Sequence, residues 1–231
     1  RTGLSMGVVL TAVGALVLLL WIPLRQRPGL GTVSNVLNRP HKSKKYYLAA
    51  SKALGEEASD DLLVQLGNAS YKAGDIDNAV IHYNNALAAN PTSEAALNQL
   101  EKIWLNEIKF NPQSVLGHAN LAGVYQKKKM YEQALQQYNV AEHFASNNPG
   151  MSFDVKKLIR LNIGTLFQQR DQHQLALKAY DSVLQVEPNN VLANYYKATL
   201  YKEAGNFPDA VSLYNRVLSL DPNHVQAQND L

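Results

Sequence analysis

One arrangement of small and aromatic residues occurs four times along the chain, and it restricts the fold more than any other feature. Residues 60–91 read DDLLVQLGNASYKAGDIDNAVIHYNNALAANP, with Leu66, Gly67, Gly74, Ala79, Tyr83, Ala86, Leu87 and Pro91 as the marker positions. Residues 115–148 carry the same pattern as Leu121, Ala122, Tyr125, Tyr131, Ala134, Tyr138 and Ala141. Residues 157–190 carry it as Ile163, Gly164, Phe167, Ala176, Tyr180, Leu184 and Pro188. Residues 191–224 carry it as Ala198, Tyr201, Gly205, Phe207, Ala210, Tyr214, Leu218 and Pro222. Gly67 and Ala79 lack bulk where two antiparallel helices cross closely, and Tyr83 and Leu87 fill the space to the next unit. Gly74 permits the turn between the helices, and Pro91 halts the second one.

The spacing is regular in one place and irregular in two. Ala176 and Ala210 lie 34 residues apart, but Ala79 and Ala134 are separated by 55 and Ala134 and Ala176 by 42. The first excess, residues 93–110, has helical periodicity in Ala96, Leu100, Ile103, Trp104 and Ile108, which predicts an extra helix between repeats one and two. The second excess contains Asn147, Asn148, Pro149 and Gly150, which predicts a lengthened loop between repeats two and three.

The marker residues closely resemble the tetratricopeptide repeat, a helix–turn–helix unit of about 34 residues. The resemblance implies an all-α fold, a right-handed α-solenoid of about four units over residues 60–231, and first helices that line a concave groove holding a partner protein. By place in the family pattern, repeat one would present Val64, Asn68, Tyr71 and Lys72 to that groove, and repeat two Ala119, Asn120, Gly123, Gln126 and Lys127. Repeat three would present Leu158, Leu161, Asn162, Thr165, Gln168 and Gln169, and repeat four Leu192, Tyr195, Thr199 and Lys202. A subset of the family clamps the C-terminal carboxylate of chaperones with two asparagines and several basic residues. Asn68 and Asn120 match its asparagines, but its basic positions fall on Val64, Leu158 and Asn162, which cannot fix a carboxylate. The expected partner is therefore another protein held by polar and aromatic contacts.

Residues 4–24 read LSMGVVLTAVGALVLLLWIPL, without a charge. As a helix this run is about 30 Å long, enough to cross the hydrocarbon layer, so residues 1–24 are predicted to form a single transmembrane helix. Trp21 suits the interface, and Pro23 falls late enough to end the helix without breaking it. A basic linker follows at residues 25–42, irregular in its prolines and glycines, and then a capping helix at residues 43–59. Formal net charge is +3, but the stretch 25–52 holds seven basic residues and no acidic one, whereas residues 53–231 hold 14 basic against 19 acidic. The cations Arg25, Arg27, Arg39, Lys42, Lys44 and Lys45 thus adjoin the apolar run, where they would contact membrane lipid and keep the repeats on the cytoplasmic or stromal side. That placement argues against a nucleic-acid partner.

No catalytic constellation stands out. The chain has no cysteine, which removes disulfides, thiolate metal sites and a cysteine nucleophile. His41, His82, His118, His143, His173 and His224 include no closely spaced helical metal pair, and there is no glycine-rich phosphate loop after a strand. The expectation is a non-enzymatic scaffold with no cofactor, metal or small-molecule substrate. The layout of one span followed by a few repeats is similar to photosystem I assembly proteins of cyanobacteria and plastids. It implies a scaffold or chaperone-like factor for assembly of a membrane protein complex. Permanent subunits, respiratory or cytochrome c biogenesis factors and organelle import receptors share that layout.

Overall fold

The computed structural model describes residues 59–231. The transmembrane reading of residues 4–24, the basic linker with its six membrane-surface cations, and the capping helix up to residue 58 lie outside the described residues. Among the described residues there are ten α-helices and no strand: α1 (Asp60–Lys72), α2 (Ile76–Ala89), α3 (Glu94–Phe110), α4 (Val115–Lys127), α5 (Tyr131–Ser146), α6 (Phe153–Gln168), α7 (His173–Leu184), α8 (Val191–Glu203), α9 (Phe207–Leu220) and α10 (Val225–Asp230). None of them is long and apolar enough to cross a membrane. The chain divides into two compact units, one ending at Ile103 and the other running from Trp104 to Leu231.

In the first unit α1 and α2 form a helical hairpin. Ser59 opens α1 by accepting a hydrogen bond from the Leu62 amide at 3.3 Å, and Asp60 and Asp61 place negative charge at the positive end of the helix dipole. Gly74 turns the chain at φ 79°, and Asp75 caps α2 by accepting from the Asn78 amide at 3.3 Å. Asn90 donates to Asp60 Oδ2 at 2.9 Å, tying the end of α2 to the start of α1. Tyr83 is fully buried and lies on Gly67, where an added Cβ would sit 2.5 Å from a ring carbon. The excess between the first two repeats is the helix α3, whose Ala96, Leu97, Leu100 and Ile103 are buried on one face.

In the second unit three hairpins, α4/α5, α6/α7 and α8/α9, stack in sequence, and the short α10 follows the last. The first helices are capped by Ser114, Ser152 and Asn190, each accepting a backbone amide through its side chain. Three core clusters follow the stack. Tyr138 sits with Ala122, Ala134, Ile159 and Leu166; Tyr180 with Leu161, Ala176, Ala193 and Leu200; Tyr214 with Ala198, Ala210, Val217 and Ala227. The alanines let backbones approach, and each tyrosine ring fills what the alanines leave open. The turn inside each hairpin needs a left-handed residue. Gly205 serves at φ 75°, but Lys129 and Asp171 stand there at φ 61° and 57°, a conformation costly for residues with a Cβ.

The second excess is not all loop. α6 starts at Phe153, four residues before the repeat boundary at 157, because Ser152 caps it and Met151 and Val155 pack against the core. Only the short connection from Asn147 to Ser152 remains irregular.

Candidate binding face on the first helices

The open face of each first helix in the second unit follows from helix geometry. Residues four, seven and eleven positions apart share one side of a helix. Starting from the exposed leucines, α4 presents Leu116, Asn120, Gly123 and Lys127, α6 presents Leu158, Asn162, Thr165 and Gln169, and α8 presents Leu192, Tyr196, Thr199 and Glu203. All twelve keep solvent exposure. Leu116, Leu158 and Leu192 are 58%, 55% and 44% exposed, unusual for leucines at matching positions of successive helices. The face is thus a grid with an apolar row, a row of two asparagines and a tyrosine, a row of small or hydroxyl residues, and a row running from Lys127 through Gln169 to Glu203.

Beside this face runs a line of polar side chains already committed to one another. Gln126 Oε1 accepts from the Tyr138 hydroxyl at 3.0 Å, while its amide nitrogen donates to Gln169 Oε1 at 2.9 Å and reaches Thr165 Oγ1 at 3.4 Å. One repeat on, Gln168 Oε1 accepts from Tyr180 at 3.0 Å, and its nitrogen donates to Glu203 at 2.8 Å and reaches Thr199 at 3.4 Å. Each glutamine therefore satisfies a buried phenol and links its own first helix to the next. Burial holds the Tyr138 and Tyr180 phenols above their ordinary pKa.

The last repeat departs from the scheme because Lys202 stands where the glutamine would be. Lys202 donates to Asp230 Oδ1 at 2.8 Å, and the Tyr195 hydroxyl donates to Asp230 Oδ2 at 2.8 Å. The Tyr214 hydroxyl is buried without a hydrogen-bond partner, and its pKa is pushed up to about 12, chiefly by burial.

The expected groove residues fall into three groups. Val64 and Leu161 are buried, at 4% and 3% exposure, and offer nothing to a partner. Leu161 lies about 60° round α6 from the open face, toward the core. Gln126, Thr165, Gln168, Thr199, Tyr195 and Lys202 stand beside or on the face but are engaged within the fold. Asn120 and Lys127 are exposed on it. In the first unit Asn68 accepts the Tyr83 hydroxyl at 2.8 Å, the Lys102 ammonium lies 5.4 Å from the centre of the Tyr71 ring, and Lys72 is exposed in the last turn of α1. Leu116, Tyr196 and Glu203 belong to the face and were not among the expected residues; counting helical positions from Leu158 and Leu192 finds them. His118 is a packing residue, both ring nitrogens engaged by Gln137 Oε1 at 2.7 Å and the Pro112 carbonyl at 3.0 Å.

Comparison with known proteins agrees with the repeats. Family models described as tetratricopeptide repeat match residues 60–93 and 167–230. Among solved structures, the Cut9–Hcn1 hetero-tetramer of the APC/C matches at a TM-score of 0.54 with 14% identity, over 87% of this chain and 40% of that one. Yeast Tom70 matches at 0.51 with 15% identity, over 80% of this chain and 41% of that one. The chain spans about two fifths of the length of these two structures, and at such identities the likeness is one of fold. No curated protein matches the sequence significantly.

Proposed function

We propose that this chain, which carries tetratricopeptide repeats, is a membrane-tethered scaffold whose repeats hold a segment of a partner protein during assembly of a membrane protein complex. The observation that carries the binding part is the face on α4, α6 and α8. Its neighbouring polar groups are spent inside the fold, yet three leucines in register remain exposed across successive helices. Such a row is expensive to leave in water and gains when covered. The tethering part rests on the uncharged run of residues 4–24 and the basic stretch after it. A photosynthetic complex is one candidate, on the layout alone.

The test is affinity purification of the full chain from solubilised membranes, comparing wild type with Leu158→Ser plus Asn120→Ala. Both positions are exposed, so the fold survives the change, and retained partners at full yield would refute the face as the binding surface. Enrichment with partly assembled intermediates supports an assembly factor. Stoichiometric recovery with one finished complex makes the chain a permanent subunit instead.

A further inference from the structure

We infer that the turn between α4 and α5 is a contact for an anionic lipid surface, made by the ammonium groups of Lys127 and Lys129. The inference rests on the proposed tether, which keeps the chain at a bilayer. The first support is a charge balance that fails at one turn. At the other three hairpin turns one base is set against one acid: Lys72 with Asp75, Arg170 with Asp171, and Lys202 with Glu203. The α4/α5 turn, residues 127–130, reads Lys-Lys-Lys-Met. The acid next along the chain, Glu132, is paired with Arg170. Elsewhere in the second unit Lys157, Arg160, Lys197 and Lys202 each hold a carboxylate. Lys127 and Lys129 are exposed, and among the described residues neither has an ion-pair partner. Lys128 between them is half-buried and has an interaction within the fold.

The second support is backbone conformation. Lys129 stands in the left-handed region at φ 61°, where the α1/α2 and α8/α9 turns use Gly74 and Gly205. Asp171, at the same place in the α6/α7 turn, is of a residue type that tolerates this region better than lysine does. A helix C-terminus favours a cation in its last turn, which accounts for Lys127 but not for Lys129 beyond it. The chain thus keeps a charge at the tip of the hairpin where glycine would be less strained. The third support is magnitude. Near an anionic leaflet each lysine favours contact roughly fivefold, and two together about twenty-five-fold. That is too little to draw a free chain from solution, where even millimolar binding needs about a thousandfold. It is enough to orient a chain already anchored, for which the lipid surface is present at high effective concentration. The tether therefore favours lipid over an acidic protein segment as the partner of these two charges.

The experiment uses the full chain reconstituted into vesicles of phosphatidylcholine alone or mixed with phosphatidylserine. The chain has no cysteine, so Gln133→Cys beside the turn, or Gln113→Cys before the other end of α4, carries a single fluorophore. Both positions are exposed. Quenching by headgroup-labelled lipid reads the distance to the bilayer surface. At residue 133 quenching should be severalfold stronger with phosphatidylserine present and should fall with added salt. At residue 113, about 20 Å away along α4, it should not respond. Lys127→Gln plus Lys129→Gln should abolish the lipid dependence, and arginine at both positions should keep it. Lys129→Gly should weaken the contact roughly fivefold while raising the melting temperature, which separates the charge from the fold. Equal quenching in both lipids, or no response to the double glutamine variant, overturns the inference. So does an acidic protein that is lost from solubilised membranes on that variant while quenching is unchanged. A chain stripped from the vesicles by alkaline carbonate refutes the tether and this inference with it. A chain that resists carbonate but shows no lipid-dependent quenching refutes the lysine contact alone.

Discussion

Gly164 and Gly67 show how one missing atom sets a helix crossing. The ring of Tyr180 lies where a Cβ of Gly164 would be, with two of its carbons 2.8 and 2.9 Å from that point, and Tyr83 does the same at Gly67. Gly164→Ala forces the ring out of a packed core and should cost about 1–3 kcal/mol, read from denaturant melts. The equivalent phenols separate in the same way. Tyr180→Phe removes a made hydrogen bond and should cost about 1 kcal/mol, whereas Tyr214→Phe removes an unpartnered buried hydroxyl and should be neutral or mildly stabilising. At the turns, Lys129→Gly relieves a left-handed residue and should raise the melting temperature by an amount equivalent to about 1 kcal/mol. The glycines and tyrosines were legible from the repeating pattern. The orphaned hydroxyl was not, because it depends on where the Lys202 ammonium points.

In the second unit the core clusters run from one hairpin into the next, so damage to one element should be felt by the stack. Ala176→Trp puts a bulky ring at a position with no exposed surface between α6, α7 and α8, and should destabilise the chain by roughly 1–3 kcal/mol or more in thermal unfolding. An unaltered transition would mean that the helix crossing lies elsewhere. At the end of the stack, Lys202 and Tyr195 hold α10 through Asp230, whose pKa is lowered, first by the hydrogen bond from Lys202. Because its folded pKa is depressed, the contribution of this contact is present at neutral pH and is lost as pH falls through that folded value. Lys202→Met should bring the Asp230 carboxyl titration, followed by NMR, back up toward the ordinary carboxylate range. Helix α3 was legible from its 3.6-residue period. The early start of α6 was not, since Asn148, Pro149 and Gly150 read as loop and only packing by Met151 and Val155 shows where the helix resumes.

For the whole molecule, the proposed tether, argued from the uncharged run at residues 4–24 and the basic flank, predicts a single insertion with the repeats on the cytoplasmic or stromal side. Protease added to sealed, right-side-out vesicles should leave the repeats intact, and digestion would reverse the orientation.

The sequence by itself determined the class of fold, because small residues, aromatics and turn formers recur at positions that only stacked helical hairpins satisfy together. Through the repeat resemblance it also pointed to the first helices as the elements expected to face a partner. Which side chains on those helices remain open was decided by the tertiary structure. A helical position alone does not say whether Gln126 or Gln168 reaches outward or bonds to a tyrosine and to the next helix. That choice depends on groups 12 to 43 residues away in sequence, brought within hydrogen-bond reach only when the hairpins stack. The same stacking closed Leu161 into the interior and left Leu116, Leu158 and Leu192 exposed, while Val64 is buried within the first unit.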